Sequence, residues 1–371
     1  MTAIDIPLFV PDLDEQDKRA VLEVLDSGWI TMGPRVIEFE KRFADYVGAQ
    51  HAIAVNSCTA ALHLAQVLAN VGPGDEVIVP SLTFAATVNT VAQTGATPIF
   101  ADVKNLDDWT IDPEDVAAKI TPRTKAVTPM HYGGYACDMV ALSKLDGVTL
   151  IEDAAHGLTG HLDGKHLGTW GHMGCYSFFS NKVMTTAEGG MLVTNDGDIA
   201  ERARRLRSHG QTKTAIDRMK GSLGYDITEV GFNYRLDDIR AGLGLSQMDR
   251  LDRNRESRVR LVTYYKSLLD SVTRIAFPCH GGRGDPAHYI LPVRLIEGDR
   301  DALRARMAEK GVQTSLHYPP VHRFAHYTKS SPRLPITEKL AETTLTLPLF
   351  PSMTNTQVER VVEVLADCLH V

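Results

Sequence analysis

The chain of 371 residues is longer than a single hydrophobic core usually supports, so the sequence predicts two domains. A net charge of −7 argues against nucleic acid as a main partner, and five scattered cysteines without a CxxC pair argue against a disulfide framework or a zinc site. The N-terminus has no basic start followed by an apolar stretch, and no window approaches the roughly 20 apolar residues of a membrane span. A cytoplasmic enzyme that does not bind a membrane is therefore expected.

Helical patterns and short apolar runs alternate along the first half of the chain. Residues 14–28 have helical spacing, with acidic residues in the first turn and a glycine at the end. Seven apolar runs with the character of strands follow: HAIAVNS (51–57), DEVIVPS (75–81), TPIFADV (97–103), KAVTPMH (125–131), VTLIED (148–153), MGCYSFF (173–179) and GGMLVTN (189–195). Strands that alternate with helices predict an α/β domain with a mainly parallel sheet, whose ligands bind beyond the carboxyl ends of the strands.

The pattern changes in the second half of the chain. Residues 247–270 have the pattern of one long charged helix that bridges two domains. Two helical patterns and two strand-like runs follow, YILPVRL (289–295) and VQTSLHYP (312–319). The sequence therefore predicts a large domain over residues 1–250 and a smaller α+β C-terminal domain over residues 251–371.

One lysine, Lys182, lies in the stretch CYSFFSNKVMTTAEGGM (175–191), among small hydroxyl residues and glycines that follow a strand-like run. A lysine on a solvated helix face would have charged neighbours and a helical apolar period, and this stretch has neither. A lysine held near a strand end can lose its proton and form a Schiff base with an aldehyde, of which pyridoxal phosphate is the obvious example.

That cofactor also needs a carboxylate for its ring nitrogen, a flat group on its ring and donors for its phosphate. Asp153 ends a predicted strand and could supply the carboxylate, although a helix cap or a surface acid is an equally good interpretation. The turn NSCTAAL (56–62) opens a helix whose free N–H groups favour an anion. Phe84 is a candidate for stacking on the ring, although a lone aromatic after a strand more often belongs to the core.

The combination of these pieces is more specific than any one of them. The order of IEDAAHG (151–157), SFFSNKVMTTAEGGM (177–191) and GFNYRLDDIRAGLG (231–244) resembles the DegT/DnrJ/EryC1/StrS family of pyridoxal-phosphate sugar aminotransferases. The resemblance runs over nearly the whole chain, from SGWITMGP (27–34) to LPLFPSMT (347–354). It implies the aspartate-aminotransferase type I fold, the cofactor pyridoxal 5'-phosphate and a homodimer with composite active sites.

The resemblance implies roles for eight cofactor-binding residues. Lys182 corresponds to the catalytic lysine that forms the Schiff base, Asp153 to the partner of the ring nitrogen and Phe84 to the stacking aromatic. The other positions contact the phosphate or face the ring: Cys58, Thr59, Ser177, His156 and, from the neighbouring chain, Asn233. The family usually has glycine where this chain has Cys58, and a cysteine fits only if the backbone there is not in a glycine-only conformation.

The resemblance also implies the reaction, in which a nucleotide-linked keto sugar receives an amino group from a donor, expected to be L-glutamate. The stretch NKVMTTAEGGM resembles the members that aminate C4 of a nucleotide-linked 4-keto-6-deoxy sugar more than the C3-aminating members, which are the alternative. Seven residues are candidate substrate contacts, although packing alone would also explain each of them: Met32, Gly33, His131, Tyr132, Arg235, His317 and Tyr318.

Other functions fit the sequence less well. By resemblance, a 3-dehydratase of the same fold has histidine in place of the Schiff-base lysine, so Lys182 argues against it. A non-enzymatic regulator that binds a sugar nucleotide would have little need for Lys182, Asp153 and Asn233 together. Four histidines within residues 156–172 do not have a common zinc spacing, and neither a complete phosphate loop nor a GxGxxG after a strand is present. No metal site, nucleotide hydrolase or dinucleotide oxidoreductase is therefore expected.

Overall fold

The computed structural model describes residues 4–213, 221, 224–328 and 332–369. Within these residues twelve α-helices occur, numbered here in chain order: α1 (Glu15–Ser27), α2 (Pro34–Val47), α3 (Cys58–Leu68), α4 (Ala85–Gln93), α5 (Pro113–Ala118), α6 (Met139–Leu142), α7 (Gly197–Leu206), α8 (Asp238–Met248), α9 (Leu251–Leu269), α10 (Arg300–Glu309), α11 (Pro335–Thr343) and α12 (Asn355–Leu369). The same described residues form twelve β-strands: β1 (His51–Val55), β2 (Glu76–Pro80), β3 (Thr97–Ala101), β4 (Thr124–Val127), β5 (Thr149–Asp153), β6 (His161–Leu162), β7 (Lys165–His166), β8 (Met173–Ser177), β9 (Gly190–Thr194), β10 (Ile275–Ala276), β11 (Leu291–Leu295) and β12 (Thr344–Leu347).

The bounds of α1 show how local sequence begins and ends an element. The side chain of Asp14 accepts the N–H groups of Gln16 and Asp17 and so caps the first turn. Gly28 ends the helix in the left-handed region, with a φ of 71° that favours glycine. The helix predicted over residues 14–28 is confirmed.

Seven strands form the central sheet, in the order β1-β9-β8-β5-β4-β2-β3. Each of the seven predicted apolar runs overlaps one of these strands. The strands β8, β5, β4, β2 and β3 are parallel to one another, whereas β9 is antiparallel to both of its neighbours, β8 and β1. The predicted α/β fold with a mainly parallel sheet is confirmed.

The reversed direction of β9 decides where the lysine stretch lies. Because β8 and β9 are antiparallel, the last residue of β8, Ser177, pairs in register with the first residue of β9, Gly190. The connection between them, residues 178–189, therefore lies at the edge of the sheet where the parallel strands have their carboxyl ends. Lys182 belongs to this connection, and Asp153 ends β5 at the same edge.

Two hydrophobic cores pack on the two faces of the central sheet. Alternate residues of a strand point to opposite faces, and in β1 the residues Ala52 and Ala54 belong to one core while Ile53 and Val55 belong to the other. Helices α2 and α8 contribute to the first core, and α3, α4 and α7 contribute to the second. Both faces of the sheet are thus covered, as expected for a parallel sheet.

The C-terminal part of the chain has a core of its own. Strands β10, β11 and β12 form an antiparallel sheet, and α9, α10 and α12 pack with it in one hydrophobic cluster. The run 312–319 was predicted to be a strand, which is wrong: in this described segment only Val312 and Ser315 make isolated bridges, to Ile6 and Thr346. The division into domains at residue 250 stays a prediction.

The charged helix predicted over residues 247–270 corresponds to α9, but it begins later than predicted, at Leu251, because a break separates it from α8. Asp249 and Arg250 lie between them, and Arg250 has a φ of −115° and a ψ of 1°, outside the helical region. The Arg250 side chain is 5% exposed and makes ion pairs with three aspartates of the N-terminal segment: Asp12, Asp14 and Asp17. Pairing this buried charge stabilises the break between the helices.

No helix among the described residues is long and apolar enough to cross a membrane. In the described part of the chain, no group of three or more histidine, cysteine, aspartate or glutamate side chains is placed to hold a metal ion. His161 and His166, two of the four clustered histidines, face each other across the β6–β7 hairpin, and their Nε2 atoms are 3.1 Å apart. They therefore hydrogen-bond to each other.

Candidate active site

A cavity of about 350 Å³ opens at the carboxyl edge of the central sheet, where ligands of such sheets bind. The cavity brings together nine of the fifteen predicted site residues: Cys58, Thr59, Phe84, Asp153, His156, Ser177, Lys182, His317 and Tyr318. These residues come from positions as far apart in the sequence as the start of α3 and the segment before β12. These residues become neighbours only in the folded chain. Their proximity therefore supports the predicted site separately from the motifs on which the prediction was based.

Lys182 is half-buried in the wall of this cavity. Its backbone N–H donates to the carbonyl of Phe179 at 3.0 Å, and its Nζ lies 4.2 Å from the centre of the Tyr289 ring. Burial lowers the pKa of Lys182 to about 8, although Cys58 and Asp153 act in the opposite direction. A substantial fraction of this amine is therefore neutral near pH 8 and able to act as a nucleophile.

Asp153 is 2% exposed at the end of β5. Thr87 of α4 donates its hydroxyl to Oδ2 of Asp153 at 2.6 Å, and the backbone N–H of Ala155 donates to Oδ1 at 3.1 Å. Burial raises the pKa of Asp153, whereas the two hydrogen bonds and the charge of Lys182 oppose that rise. Asp153 is thus neither a surface acid nor a helix cap, the two alternatives that its sequence position left open.

The first turn of α3 forms one end of the cavity. Ser57 caps this helix by accepting the N–H of Ala60 at 3.1 Å, and the N–H groups of Cys58 and Thr59 precede the first residue that can have an intrahelical acceptor. Free N–H groups at a helix N-terminus favour an anion. Ser177, at the end of β8, adds a hydroxyl to the same cavity.

Cys58 stands where the family usually has glycine, and its backbone explains why a side chain is tolerated. Cys58 is the first residue of α3 and is not among the described residues with a positive φ. Burial raises the pKa of its thiol well above the usual range, and the charge of Asp153 raises that pKa further. The thiol therefore stays protonated at neutral pH, which makes it a poor nucleophile.

Aromatic side chains form the other end of the cavity. Phe84 is 56% exposed, with its ring 5.6 Å from that of Tyr318. The Nδ1 atom of His156 accepts the backbone N–H of Gly133 at 3.2 Å, so the proton of the neutral ring is on Nε2, 3.0 Å from the Tyr318 hydroxyl. Burial lowers the pKa of His156 well below its usual value, which keeps the ring neutral. The Phe84 ring face is available to a flat ligand.

Four predicted site residues lie at the surface or in other pockets of the same chain. Met32 and Gly33 line a separate pocket beside α2, where the N–H of Gly33 donates to Asp238 at 2.7 Å. Asn233 is exposed, with its carbonyl accepting from the side chain of Asn56, and Arg235 forms a backbone bridge with Val55. Neither Asn233 nor Arg235 lines the cavity of its own chain.

His131 and Tyr132 are fully buried and lie behind the cavity wall, so their placement does not fit the predicted contact with a substrate. The Nδ1 atom of His131 accepts the N–H of Cys137 at 3.1 Å, and its Nε2 is 2.8 Å from a carboxylate oxygen of Glu152. Tyr132 donates its hydroxyl to the carbonyl of His317. Both side chains therefore use their polar atoms within the protein, where unpaired polar groups are costly.

Several residues that contact the predicted ones were not recognised from the sequence. Asn181 lies in the stretch that contains Lys182, and Thr87 lies three residues after Phe84, so small polar side chains beside predicted site residues were the available signal. Tyr289 had no comparable signal, because it is 108 residues from Asn181, to whose Oδ1 it donates its hydroxyl at 3.0 Å. Its place in the cavity wall depends on the packing of the C-terminal region against the central sheet.

Comparison with known proteins places these observations in a family. Residues 11–366 match the DegT/DnrJ/EryC1/StrS aminotransferase family. The chain is 38% identical to the spore coat polysaccharide biosynthesis protein SpsC of Bacillus subtilis (strain 168), over 98% of this chain and 96% of that protein. It is also 38% identical to the GDP-perosamine synthase of Caulobacter vibrioides, over 98% of each chain. The PLP-form structure of the putative sugar aminotransferase Spr1654 from Streptococcus pneumoniae has 28% identity and a TM-score of 0.92, covering 98% of both chains.

Proposed function

Because the chain belongs to the DegT/DnrJ/EryC1/StrS aminotransferase family, we propose that it transfers an amino group from L-glutamate to C4 of a nucleotide-linked 4-keto-6-deoxy sugar. It is a pyridoxal-phosphate-dependent sugar aminotransferase. The identity of the amino donor, the nucleotide link of the sugar and the carbon that receives the amine are what we propose beyond that activity. The convergence of Lys182, Asp153 and the first turn of α3 on one cavity supports the aminotransferase chemistry. The resemblance of NKVMTTAEGGM (181–191) to the C4-aminating members supports amination at C4.

The residues of the cavity fit pyridoxal phosphate. The cavity has three of the four groups that this cofactor requires of a protein: a buried carboxylate at Asp153, an amine of lowered pKa at Lys182 and a helix N-terminus for an anion. The exposed ring of Phe84 adds a surface for stacking. When bound, the cofactor supplies an electron sink that accepts the electrons of the bond broken at the amino carbon.

Lys182 has two roles in this proposal. Its Nζ, of which a fraction is neutral near pH 8, would hold the cofactor in the cavity by condensing with its aldehyde, with loss of water. When it is not bonded to the cofactor, the same Nζ would take up and return the proton of the amino carbon, as a general base and acid with a pKa near the operating pH. Both roles need an amine at this position.

Asp153 holds a proton on the ring nitrogen of the cofactor. Its carboxylate is kept in place by Thr87 and by the N–H of Ala155, so its orientation does not depend on the ligand. In a site with little water a carboxylate stabilises a positive charge beside it strongly. Asp153 therefore favours the protonated ring, which is the better electron sink.

The site is proposed to be completed by a second copy of the chain. Asn233 is exposed and does not line the cavity of its own chain, while Phe232 and Tyr234 on either side of it stack with ring centres 4.9 Å apart and anchor the segment. An exposed amide on an anchored segment is suited to reach the phosphate of a neighbouring subunit in a two-fold dimer. Arg235, two residues further along the chain, would reach the substrate in the same way.

His317 and Tyr318 are the proposed substrate contacts of the same chain. The hydroxyl of Tyr318 accepts from Nε2 of His156, so its own proton is free to be donated into the cavity. The alternative regiochemistry, amination at C3, uses the same residues around the cofactor. A regulator that only binds a sugar nucleotide is disfavoured, because binding alone gives no use for a lysine of lowered pKa beside a buried aspartate.

The test is to incubate the purified protein with pyridoxal phosphate, L-glutamate and a panel of nucleotide-linked 3-keto and 4-keto sugars, and then to identify products by mass and by the position of the new C–N bond. We expect amination at C4 of a 4-keto-6-deoxy sugar and a matching yield of 2-oxoglutarate. Amination at C3 would establish the alternative. Binding of the sugar nucleotides without 2-oxoglutarate, together with amination when another amino acid replaces glutamate, would refute L-glutamate as the donor.

A further inference from the structure

The ring of Tyr289 lies next to the amine of Lys182 in the cavity wall. The distance of 4.2 Å from Nζ to the ring centre is within the roughly 6 Å over which a cation binds an aromatic face. We propose that this face binds the ammonium of Lys182 whenever the lysine is not bonded to the cofactor, and that Tyr289 is thereby a positioning residue for proton transfer. The inference rests on the proposed function, because it requires Lys182 to be released in each reaction cycle.

Tyr289 is held more firmly than the lysine it contacts. It is 4% exposed, its backbone N–H donates to the carbonyl of Gly133 at 3.1 Å, and its carbonyl accepts from Arg258 at 3.0 Å. The ring of His156 packs against it with centres 4.2 Å apart, and its hydroxyl donates to Asn181. A side chain fixed at these points has a defined position in the cavity.

Lys182, in contrast, has a long side chain and lies in a connection, residues 178–189, without helix or strand. Several rotamers are open to such a side chain, and each one it loses costs entropy. An attractive surface at a fixed position selects the rotamers that place Nζ there. Tyr289 can therefore keep the released amine close to the reacting carbon.

The other groups near Lys182 do not provide an equivalent partner. Burial lowers the pKa of His156 and, to about 4, that of His317, so both rings are neutral at pH 7. Burial keeps the thiol of Cys58 protonated by raising its pKa. The charge of Cys58 would favour the ammonium only as a thiolate, and the charge of Asp153 favours it directly. In the proposed function the Asp153 carboxylate is paired with the ring nitrogen of the cofactor. Glu188 also lines the cavity, but it is exposed to solvent, which screens its charge. The ring face of Tyr289 is then the group that can bind the ammonium of the released lysine.

Tyr289 could instead act through its hydroxyl alone, by fixing Asn181 and with it the lysine connection. Three substitutions separate the two roles. Tyr289→Phe removes the hydroxyl and keeps the ring face, Asn181→Ala removes the acceptor and keeps Tyr289 intact, and Tyr289→Leu removes the ring. Binding of the ammonium by the ring predicts an effect on Lys182 only for the third substitution.

The measurement is the pH dependence of the reaction of Lys182 with trace acetic anhydride in the cofactor-free, full-length protein, followed by peptide mass spectrometry. Because the ring favours the ammonium, Tyr289→Leu is expected to lower the midpoint by about 0.4 to 1.5 pH units. Tyr289→Phe and Asn181→Ala are expected to keep the wild-type midpoint. An unchanged midpoint in Tyr289→Leu, or equal shifts in all three variants, would overturn the inference.

A graded change at position 289 covers the case in which leucine prevents folding. Phenylalanines with one, two and three ring fluorines keep the shape of the side chain and progressively withdraw electrons from its face. The midpoint of Lys182 is expected to fall with each fluorine, and the absence of a trend would overturn the inference. Borohydride reduction of the cofactor-loaded protein separates this result from the proposed function: cofactor fixed to a lysine other than Lys182 would refute that function, whatever the midpoints.

Discussion

Replacing Lys182 by methionine is expected to stabilise the cofactor-free protein at neutral pH. Burial lowers the pKa of Lys182 to about 8, against a value of 10.5 for an unperturbed lysine. Below pH 8 the amine is protonated in the folded and the unfolded chain, so the cost of burying the charge is fully present. Between pH 8 and 10.5 only the unfolded chain keeps the proton, so the stability of the wild type rises with pH and the cost disappears.

The size of the effect follows from this difference of about 2.5 pH units, which corresponds to about 3 kcal/mol at pH 7. Because Lys182 is only half-buried, solvent screening reduces this figure to about 1.5 kcal/mol. A chain of 371 residues unfolds with an entropy of about 0.8 kcal/mol/K, at about 2 cal/mol/K per residue. The variant is therefore expected to unfold about 2 °C above the wild type at pH 7, with no difference near pH 10.5.

Scanning fluorimetry of the two cofactor-free proteins at several values between pH 7 and pH 10.5 measures this difference. Lys144→Met, a substitution of an exposed lysine just after α6, is the matched control for the loss of a lysine from the surface. A Lys182→Met variant that is less stable than the wild type at pH 7, or a difference that does not change with pH, would refute the argument that Lys182 carries a buried charge.

Three further predictions concern the proposed chemistry. Borohydride reduction of the yellow, cofactor-loaded protein is expected to attach the cofactor to the peptide that contains Lys182, and label on another lysine would contradict this. Asp153→Asn is expected to bind cofactor but to lower turnover about 10- to 100-fold, since a charge-assisted hydrogen bond is worth roughly 1.5–3 kcal/mol; a normal rate would exclude the role of Asp153. Lys182→Ala and Asn233→Asp homodimers are each expected to be inactive, whereas an equal mixture after verified subunit exchange should regain roughly a quarter of the sites. No recovery would exclude a site shared between chains.

The strands and the core of the site were predictable because local chemistry determines them. Each strand of the central sheet is an apolar run, since both faces of a parallel sheet are buried. Lys182 and Asp153 stood out because a lysine among glycines and an acid after a buried run contradict the usual surface pattern. Such exceptions to local patterns are where function is expected to be found.

The features that could not be predicted depend on contacts distant in sequence. The break between α8 and α9 requires Arg250 to meet the aspartates near the N-terminus, and the helical pattern runs through that position without a glycine or proline. Likewise, His131 was predicted to contact substrate because it follows a strand at the carboxyl edge. In the structure its Nε2 atom lies beside the buried carboxylate of Glu152, on the neighbouring strand, and does not face the cavity. Tyr289 was missed for the same reason, since its partner Asn181 is 108 residues away.

Gly190, the first residue of the reversed strand β9, lies next to the end of the cavity proposed to bind the phosphate. Substitution of Gly190 therefore tests whether the turn that opens α3 binds the phosphate. Because β9 is also antiparallel to β1, its first residue pairs with Val55, the last residue of β1, and so lies beside the turn that opens α3. A Cβ on Gly190 would lie 2.5 Å from the carbonyl carbon and oxygen of Ser57 and 2.6 Å from the backbone nitrogen of Cys58. Gly190→Ala must therefore displace the turn whose N–H groups are proposed to bind the phosphate.

The displaced turn is expected to lose an N–H hydrogen bond to the phosphate, and a hydrogen bond to a charged group is worth roughly 1.5–3 kcal/mol, so Gly190→Ala is expected to weaken the binding of pyridoxal phosphate about 10- to 100-fold. The measurement is an absorbance titration of the cofactor-free protein with pyridoxal phosphate. Gly72→Ala is the matched control, because a Cβ at Gly72 would have no atom within 4 Å and the residue has no positive φ. Unchanged affinity in Gly190→Ala would mean that the first turn of α3 does not hold the phosphate, since a displaced turn cannot keep its N–H groups aimed at the same anion.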